Sequence, residues 1–133
     1  MGYSTDATIG YGIVVPNEWE EHLEEFDHDI DLFLWGARKR IEETHGTEGP
    51  YSWDSAVNLE THFCGTLDDP QWCILASETI IRADWNYPTQ IEQWPEQPAS
   101  EDFVHRLVRA CVVAEIPVID DPQPGWLVCV SWG

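Results

Sequence analysis

The sequence predicts an α+β fold in a single domain over residues 1–133, with element order β-α-β-β-α-β and an antiparallel sheet carrying its helices on one face. Three patterns predict it. A β-branched apolar run stands near the N-terminus, two segments repeat apolar residues at helical spacing, and two strand-like runs flank a turn-rich cluster. Hydrophobic residues make up 43% of the 133 and eight residues are Trp, enough apolar mass for a real core.

The first strand is "ATIGYGIVV", residues 7 to 15, stopped by Pro16; Gly10 and Gly12 inside it point to a bulge or a close neighbour. Trp19, Leu23, Phe26, Ile30, Phe33 and Ala37 then follow at spacings of 4, 3, 4, 3 and 4, the stripe of an amphipathic helix. Asn17 is its expected N-cap and Gly46 its stop. A break is expected near Asp27 to Asp29, because Asp is a poor interior helix residue. "TEGPYSWDS" reads as a loop. Val57, Leu59, Thr61 and Phe63 alternate with Asn58, Glu60, His62 and Cys64, marking a half-buried strand. "GTLDDPQ" turns the chain into "WCILASETIIRA", expected as one strand antiparallel to the first of the pair.

Three prolines make "DWNYPTQIEQWPEQPAS" an irregular surface crossing. Ser100 opens a second helix running to about Glu115, with Phe103, Leu107, Ala110, Cys111 and Ala114 facing inward. "WLVCVSW" is the last strand. Val57, Leu59, Phe63, Phe103, Leu107, Leu127 or Val128, and Val130 are expected in one core, and Trp35, Trp72, Trp126 and Trp132, in or beside predicted elements, read as core rather than as a cofactor platform. This order matches a split βαβ, ferredoxin-like arrangement.

Charge then narrows the function. Twenty-five acidic residues against six basic ones leave a net charge of −19. Nucleic-acid binding needs Lys and Arg on phosphates, and anionic membranes repel such a chain, so neither is an expected partner. A basic protein surface is. "MGYSTD" lacks the cationic and apolar regions of a secretory signal, and the apolar runs are too short to cross a bilayer. The expected location is the cytoplasm, where Cys64, Cys73, Cys111 and Cys129 stay as free thiols.

The acids are segregated. "PNEWEEHLEEFDHDIDLF" holds eight of them and no Lys or Arg: Glu18, Glu20, Glu21, Glu24, Glu25, Asp27, Asp29 and Asp31. Wound as a helix at about 1.5 Å per residue they span about 21 Å, one charge per roughly 2.6 Å against about 1.7 Å in duplex DNA. That density suits a mimic of nucleic-acid charge, and these eight are the expected partner-binding residues. Loop aromatics are enriched at recognition surfaces, so Trp85, Tyr87 and Trp94 in "WNYPTQIEQW" join them.

Chemical sites are sparse by comparison. Glu60, His62 and Cys64 share one strand face, and Cys73 follows the hairpin turn, a set of zinc-like ligand types without a C-x-x-C or H-x-x-x-H spacing. His105 and Cys111 are six apart on a helix and do not face each other well. No nucleophile elbow, phosphate loop or dinucleotide fingerprint occurs. The expectation is no catalytic residue, no metal and no cofactor.

The segments "MGYSTDATIGYGIVVP" and "GWLVCVSWG" resemble the termini of small accessory proteins of tailed bacteriophages, although Leu127, Val128 and Cys129 depart from the closing pattern of that group. The resemblance implies a setting, infection of a host cell. It thereby implies a non-enzymatic inhibitor of a host protein, a DNA mimic acting against host defence. A small metal- or thiol-dependent enzyme, or a minor structural component of the phage, is the alternative.

Overall fold

The sheet is organised around β1 (Thr5–Val14). A computed structural model describes residues 5–16, 19, 30–66, 69–83, 87–115 and 122–132. Along one edge β1 pairs antiparallel with β5 (Gly125–Trp132), from Thr5 opposite Trp132 to Gly12 opposite Gly125. Its other edge is shared by two strands. Ala7 to Ile9 pair with β4 (Ile81–Ala83), and Gly12 to Val14 pair with β3 (Asp69–Ala76). The hairpin partner of β3 is β2 (Leu59–Thr66), whose last two residues also pair in parallel with Ser131 and Trp132. The order is therefore β3-β2-β5-β1-β4, with the extra β3–β1 pairing closing β1, β3, β2 and β5 on one another.

The sheet is thus mixed and five-stranded among the described residues, where a four-stranded antiparallel sheet was expected. The fold is α+β in one small domain, with the elements ordered β1, α1 (Ile30–His45), α2 (Trp53–Ala56), β2, β3, β4, α3 (Ser100–Ala114) and β5. The run "WCILASETIIRA" is two strands, not one. Between Ala76 and Ile81 the chain makes a 3-10 turn at Ser77–Thr79. That turn leaves a gap in the ladder opposite Tyr11, and the buried Thr79 fills it. Its Oγ1 accepts the Tyr11 N–H at 2.9 Å while donating to the Ala76 carbonyl at 2.7 Å. An orphaned buried N–H would be costly, so the side chain substitutes for the missing strand neighbour.

Gly10 and Gly12 permit the closure. A Cβ at Gly12 would stand 1.9 Å from the Ile74 carbonyl oxygen, and one at Gly10 2.7 Å from Leu75 Cδ1. The close neighbour they signal is β3.

Two apolar clusters follow from the two sheet faces. On one face Tyr11, Ile13, Leu59, Ile74 and Ala76 pack against Ile30, Phe33, Leu34, Ala37 and Ile41 of α1 and Phe103, Leu107, Ala110 and Cys111 of α3. Trp19 joins this cluster, its ring edge-on to Phe33 with centroids 5.5 Å apart. Of the expected stripe, Ile30, Phe33 and Ala37 lie on α1 and Trp19 precedes that helix; Asn17, Leu23, Phe26 and the expected break at Asp27 to Asp29 lie outside the described residues. Gly46, at φ +78°, ends α1 in the left-handed region with its N–H on the Glu42 carbonyl. The opposite face encloses a second, smaller cluster of Cys73, Leu75 and Cys129, with Cys64, Ile80 and Leu127 packed on it.

Several core assignments need correction. Two clusters replace the one expected. Leu127 and Cys129 turn into the smaller cluster, which by strict alternation sends Val128 (64% exposed) and Val130 (40%) outward. Trp35 is 61% exposed, with Lys39 Nζ 5.1 Å from its ring centroid, rather than in the core. Trp53, expected in a loop, is buried on the short α2, and Val57 is buried just after it instead of opening β2. Phe63 is half-buried beside Trp72, their ring centroids 5.5 Å apart.

Candidate functional site

Of the expected acidic surface, Asp31 is described: it is exposed in the first turn of α1, where a carboxylate suits the helix dipole. Glu18, Glu20, Glu21, Glu24, Glu25, Asp27 and Asp29 lie outside the described residues, as does Trp85. Tyr87 and Trp94 are exposed, at 72% and 56%. Trp94 also has a structural task. It stacks edge-on to Trp126 with centroids 5.7 Å apart, and Trp126 in turn stands 5.8 Å from Tyr11, so the crossing loop is fastened to β5 and β1 by a run of aromatic rings.

The cations explain more of the surface than the acids do. The chain has six Lys and Arg, and each has a partner within the chain. Arg38 pairs with Glu42 at 3.0 Å and Arg82 with Glu60 at 2.9 Å, while Arg106 bridges Glu78 and Asp102. Lys39 sits over Trp35. Arg40 donates to the Val113 carbonyl and Arg109 to the Tyr51 carbonyl.

The strand face singled out for its ligand types does assemble. His62 stands opposite Cys73 across the β2–β3 ladder, with Glu60 and Cys64 two residues to either side of His62. Cys73 Sγ lies 3.4 Å from the His62 carbonyl oxygen and 3.0 Å from Cys129 Sγ, a thiol brought in by β5. Cys64 Sγ is a further neighbour of Cys129. His62 Nε2 is buried without a hydrogen-bond partner among the described residues, 4.0 Å from Glu60 Oε1. Burial lowers the His62 pKa below 6.5, against an upward pull from Glu60, so the ring is held neutral. Cys64 and Cys129 are not activated. Burial raises Cys64, and contact with the Cys73 thiol followed by burial raises Cys129. A catalytic nucleophile requires the opposite shift. Among the described residues no group of three or more His, Cys, Asp and Glu is arranged to hold a metal ion.

No protein-family model matches this chain, and the search of solved structures found no match. Among the described residues no helix is long and apolar enough to cross a membrane.

One feature has no counterpart in the sequence pattern. An open groove of about 820 Å³ runs between the C-terminal halves of α1 and α3, lined by Arg40, His45, Tyr51, His105, Arg109 and Glu115 among others. Its residues come from separate segments, so no local spacing announces it. Both arginines are turned to backbone carbonyls there, Arg40 to Val113 near the end of α3 and Arg109 to Tyr51. His105 is exposed on this side, whereas Cys111 is fully buried and raised to about 12 by that burial, so the two form no catalytic pair.

Proposed function

We propose that this is a small acidic, non-enzymatic accessory protein of the tailed-phage kind, acting in the host cytoplasm. It binds a basic surface on a host protein and inhibits it, presenting carboxylates in place of nucleic-acid phosphates against host defence. The observation that carries the reading is the engagement of all six cations inside the chain. Arg38, Arg82 and Arg106 pair with carboxylates, Arg40, Arg109 and Lys39 are held on two backbone carbonyls and a ring, and the chain carries 19 more acidic than basic residues. Such a field steers a basic partner and accelerates association. The exposed Tyr87 and Trp94 supply apolar contact. The antiparallel pairings β5–β1, β1–β3 and β3–β2 support a ferredoxin-like plan beneath this surface, with β4 and the β2–β5 contact as additions.

The test replaces Glu20, Glu21, Glu24 and Glu25 with Gln, which keeps side-chain shape and removes four charges. Partner captured from host lysate at low salt is identified and its affinity measured against both forms. The variant is expected to be at least as stable, since repulsion is relieved, yet to bind far more weakly. Unchanged affinity at low salt ends the proposal.

A thiol-dependent enzyme is the second reading, favoured by the meeting of His62, Cys64, Cys73 and Cys129. The upward shifts of Cys64 and Cys129 oppose it.

A further inference from the structure

We propose that Cys73 and Cys129 are a redox-active dithiol, oxidised to an intramolecular disulfide by a low-molecular-weight disulfide that enters through Cys64. The site is independent of the acidic surface and of the reading built on it.

Three of the four cysteines converge on one small cluster from three strands, β2, β3 and β5. Packing alone does not ask for this. The other members, Leu75, Ile80 and Leu127, are aliphatic, and any small apolar residue would fill the same volume. Cys111 shows the purely packing case: it is buried among the helices, in the other cluster. Cys73 Sγ and Cys129 Sγ instead stand 3.0 Å apart, needing only about 1 Å of approach to reach a disulfide bond of roughly 2.05 Å. The backbone brings them there, because Gly10 and Gly12 allow β3 to cross close over β1, whose other edge carries β5.

Access is graded. Cys73 and Cys129 are buried, whereas Cys64 is partly open to solvent and adjoins Cys129. The Cys64 sulfur attacks one sulfur of glutathione disulfide, forming a mixed disulfide and releasing one glutathione thiol. Cys129 attacks the Cys64 sulfur and expels the second glutathione, giving a Cys64–Cys129 disulfide. Cys73 then attacks Cys129 and returns Cys64 to its thiol. In sum, two protein thiols lose two electrons and two protons, and one glutathione disulfide becomes two glutathiones. Because thiolate is the attacking species, the raised thiols make these steps slow at neutral pH. Once formed, the bond joins β3 to β5 across the inside of the ring and stiffens it.

The experiment uses the whole protein, reduced, desalted and equilibrated without oxygen in buffers of rising glutathione disulfide to glutathione ratio. Thiols titrated in denaturant are expected to fall from four to two, with peptide mapping linking Cys73 to Cys129 and the melting temperature rising. Cys111→Ala should leave this end point unchanged, and Cys64→Ala should reach it several-fold more slowly. The wild-type measurements need no variant to fold. Four thiols at the most oxidising ratio, a stable glutathione adduct on Cys64 as the sole product, or a bond mapped to any other pair overturns the proposal. An unchanged rate in Cys64→Ala overturns the route through it.

Discussion

Replacing Gly12 with Ala tests the closure of the sheet, on which the placement of the thiols and the split between β3 and β4 both depend. The added Cβ would stand 1.9 Å from the Ile74 carbonyl oxygen, roughly 1.5 Å inside the shortest comfortable contact of about 3.5 Å. Ile74 cannot retreat alone, because it is paired with Ile13 on one side and Thr61 on the other. Relief requires β3 to leave β1, giving up two or three ladder hydrogen bonds at about 1 kcal/mol net each. Residual overpacking adds about 1–3 kcal/mol. The expected loss is therefore about 3–6 kcal/mol, a large part of the roughly 5–15 kcal/mol that holds a domain of this kind together.

Gly10→Ala is the internal control. Its nearest obstacle is Leu75 Cδ1 at 2.7 Å, the end of a side chain that can rotate aside, so the cost should be about 1–2 kcal/mol. Urea unfolding followed by the intrinsic fluorescence of the eight Trp residues measures both, with an unchanged slope confirming that the same surface unfolds. A loss below about 1 kcal/mol for Gly12→Ala, or a larger loss for Gly10→Ala than for Gly12→Ala, would refute the close crossing of β3 over β1.

Thr79→Val keeps the shape of the buried turn but strands the Tyr11 N–H, and should cost about 1–3 kcal/mol in the same urea assay; a neutral result would mean that water reaches this amide. His62 is held neutral by burial, so its folded pKa lies below 6.5. As pH falls through 6.5 the unfolded chain takes up the proton first, and stability drops until the folded value is passed; above 6.5 it is flat. His62→Asn should remove that part of the pH dependence, and parallel curves for the two proteins between pH 7.5 and 5.5 would contradict it. Arg106→Met breaks two partly exposed ion pairs and should cost about 1 kcal/mol, less at high salt. A loss insensitive to salt would point to packing by the side chain instead.

Much of the fold was legible because apolar spacing is a local property. The stripe through Ile30, Phe33 and Ala37 and the inward face of α3 follow from side-chain geometry within one element. The same stripe condemns the expectation for Trp35, which stands about 200° around the helix from Phe33 at about 100° per residue. The parity of β5 was not legible. In "WLVCVSW" both alternating sets are apolar, so nothing local says whether Leu127 and Cys129 or Val128 and Val130 face inward. The polar trio Ser77, Glu78 and Thr79 within a β-branched run was the available sign that one strand would become two. In the candidate sites, the pairing of β2 with β3 followed from the hairpin, with His62 rather than Cys64 opposite Cys73, whereas Cys129 entered through strand order, which spacing does not encode.

The same division between local and long-range information bears on the acidic surface, and it yields the last prediction. At physiological salt, charges more than about 8 Å apart are largely screened, so a partner feels the carboxylates within its own footprint rather than the net −19. Two outcomes can therefore be separated by position at constant charge. Glu43, Glu48, Glu92 and Glu96 are exposed and lie away in sequence from the cluster at residues 18 to 31. Changing these four to Gln removes the same charge as changing Glu20, Glu21, Glu24 and Glu25. If recognition is local, only the second set should weaken partner binding at about 0.15 M salt, while below about 0.01 M, where the screening length reaches about 30 Å, the two should converge. Equal losses at both salt concentrations would mean that bulk charge alone attracts the partner and that the cluster has no footprint of its own.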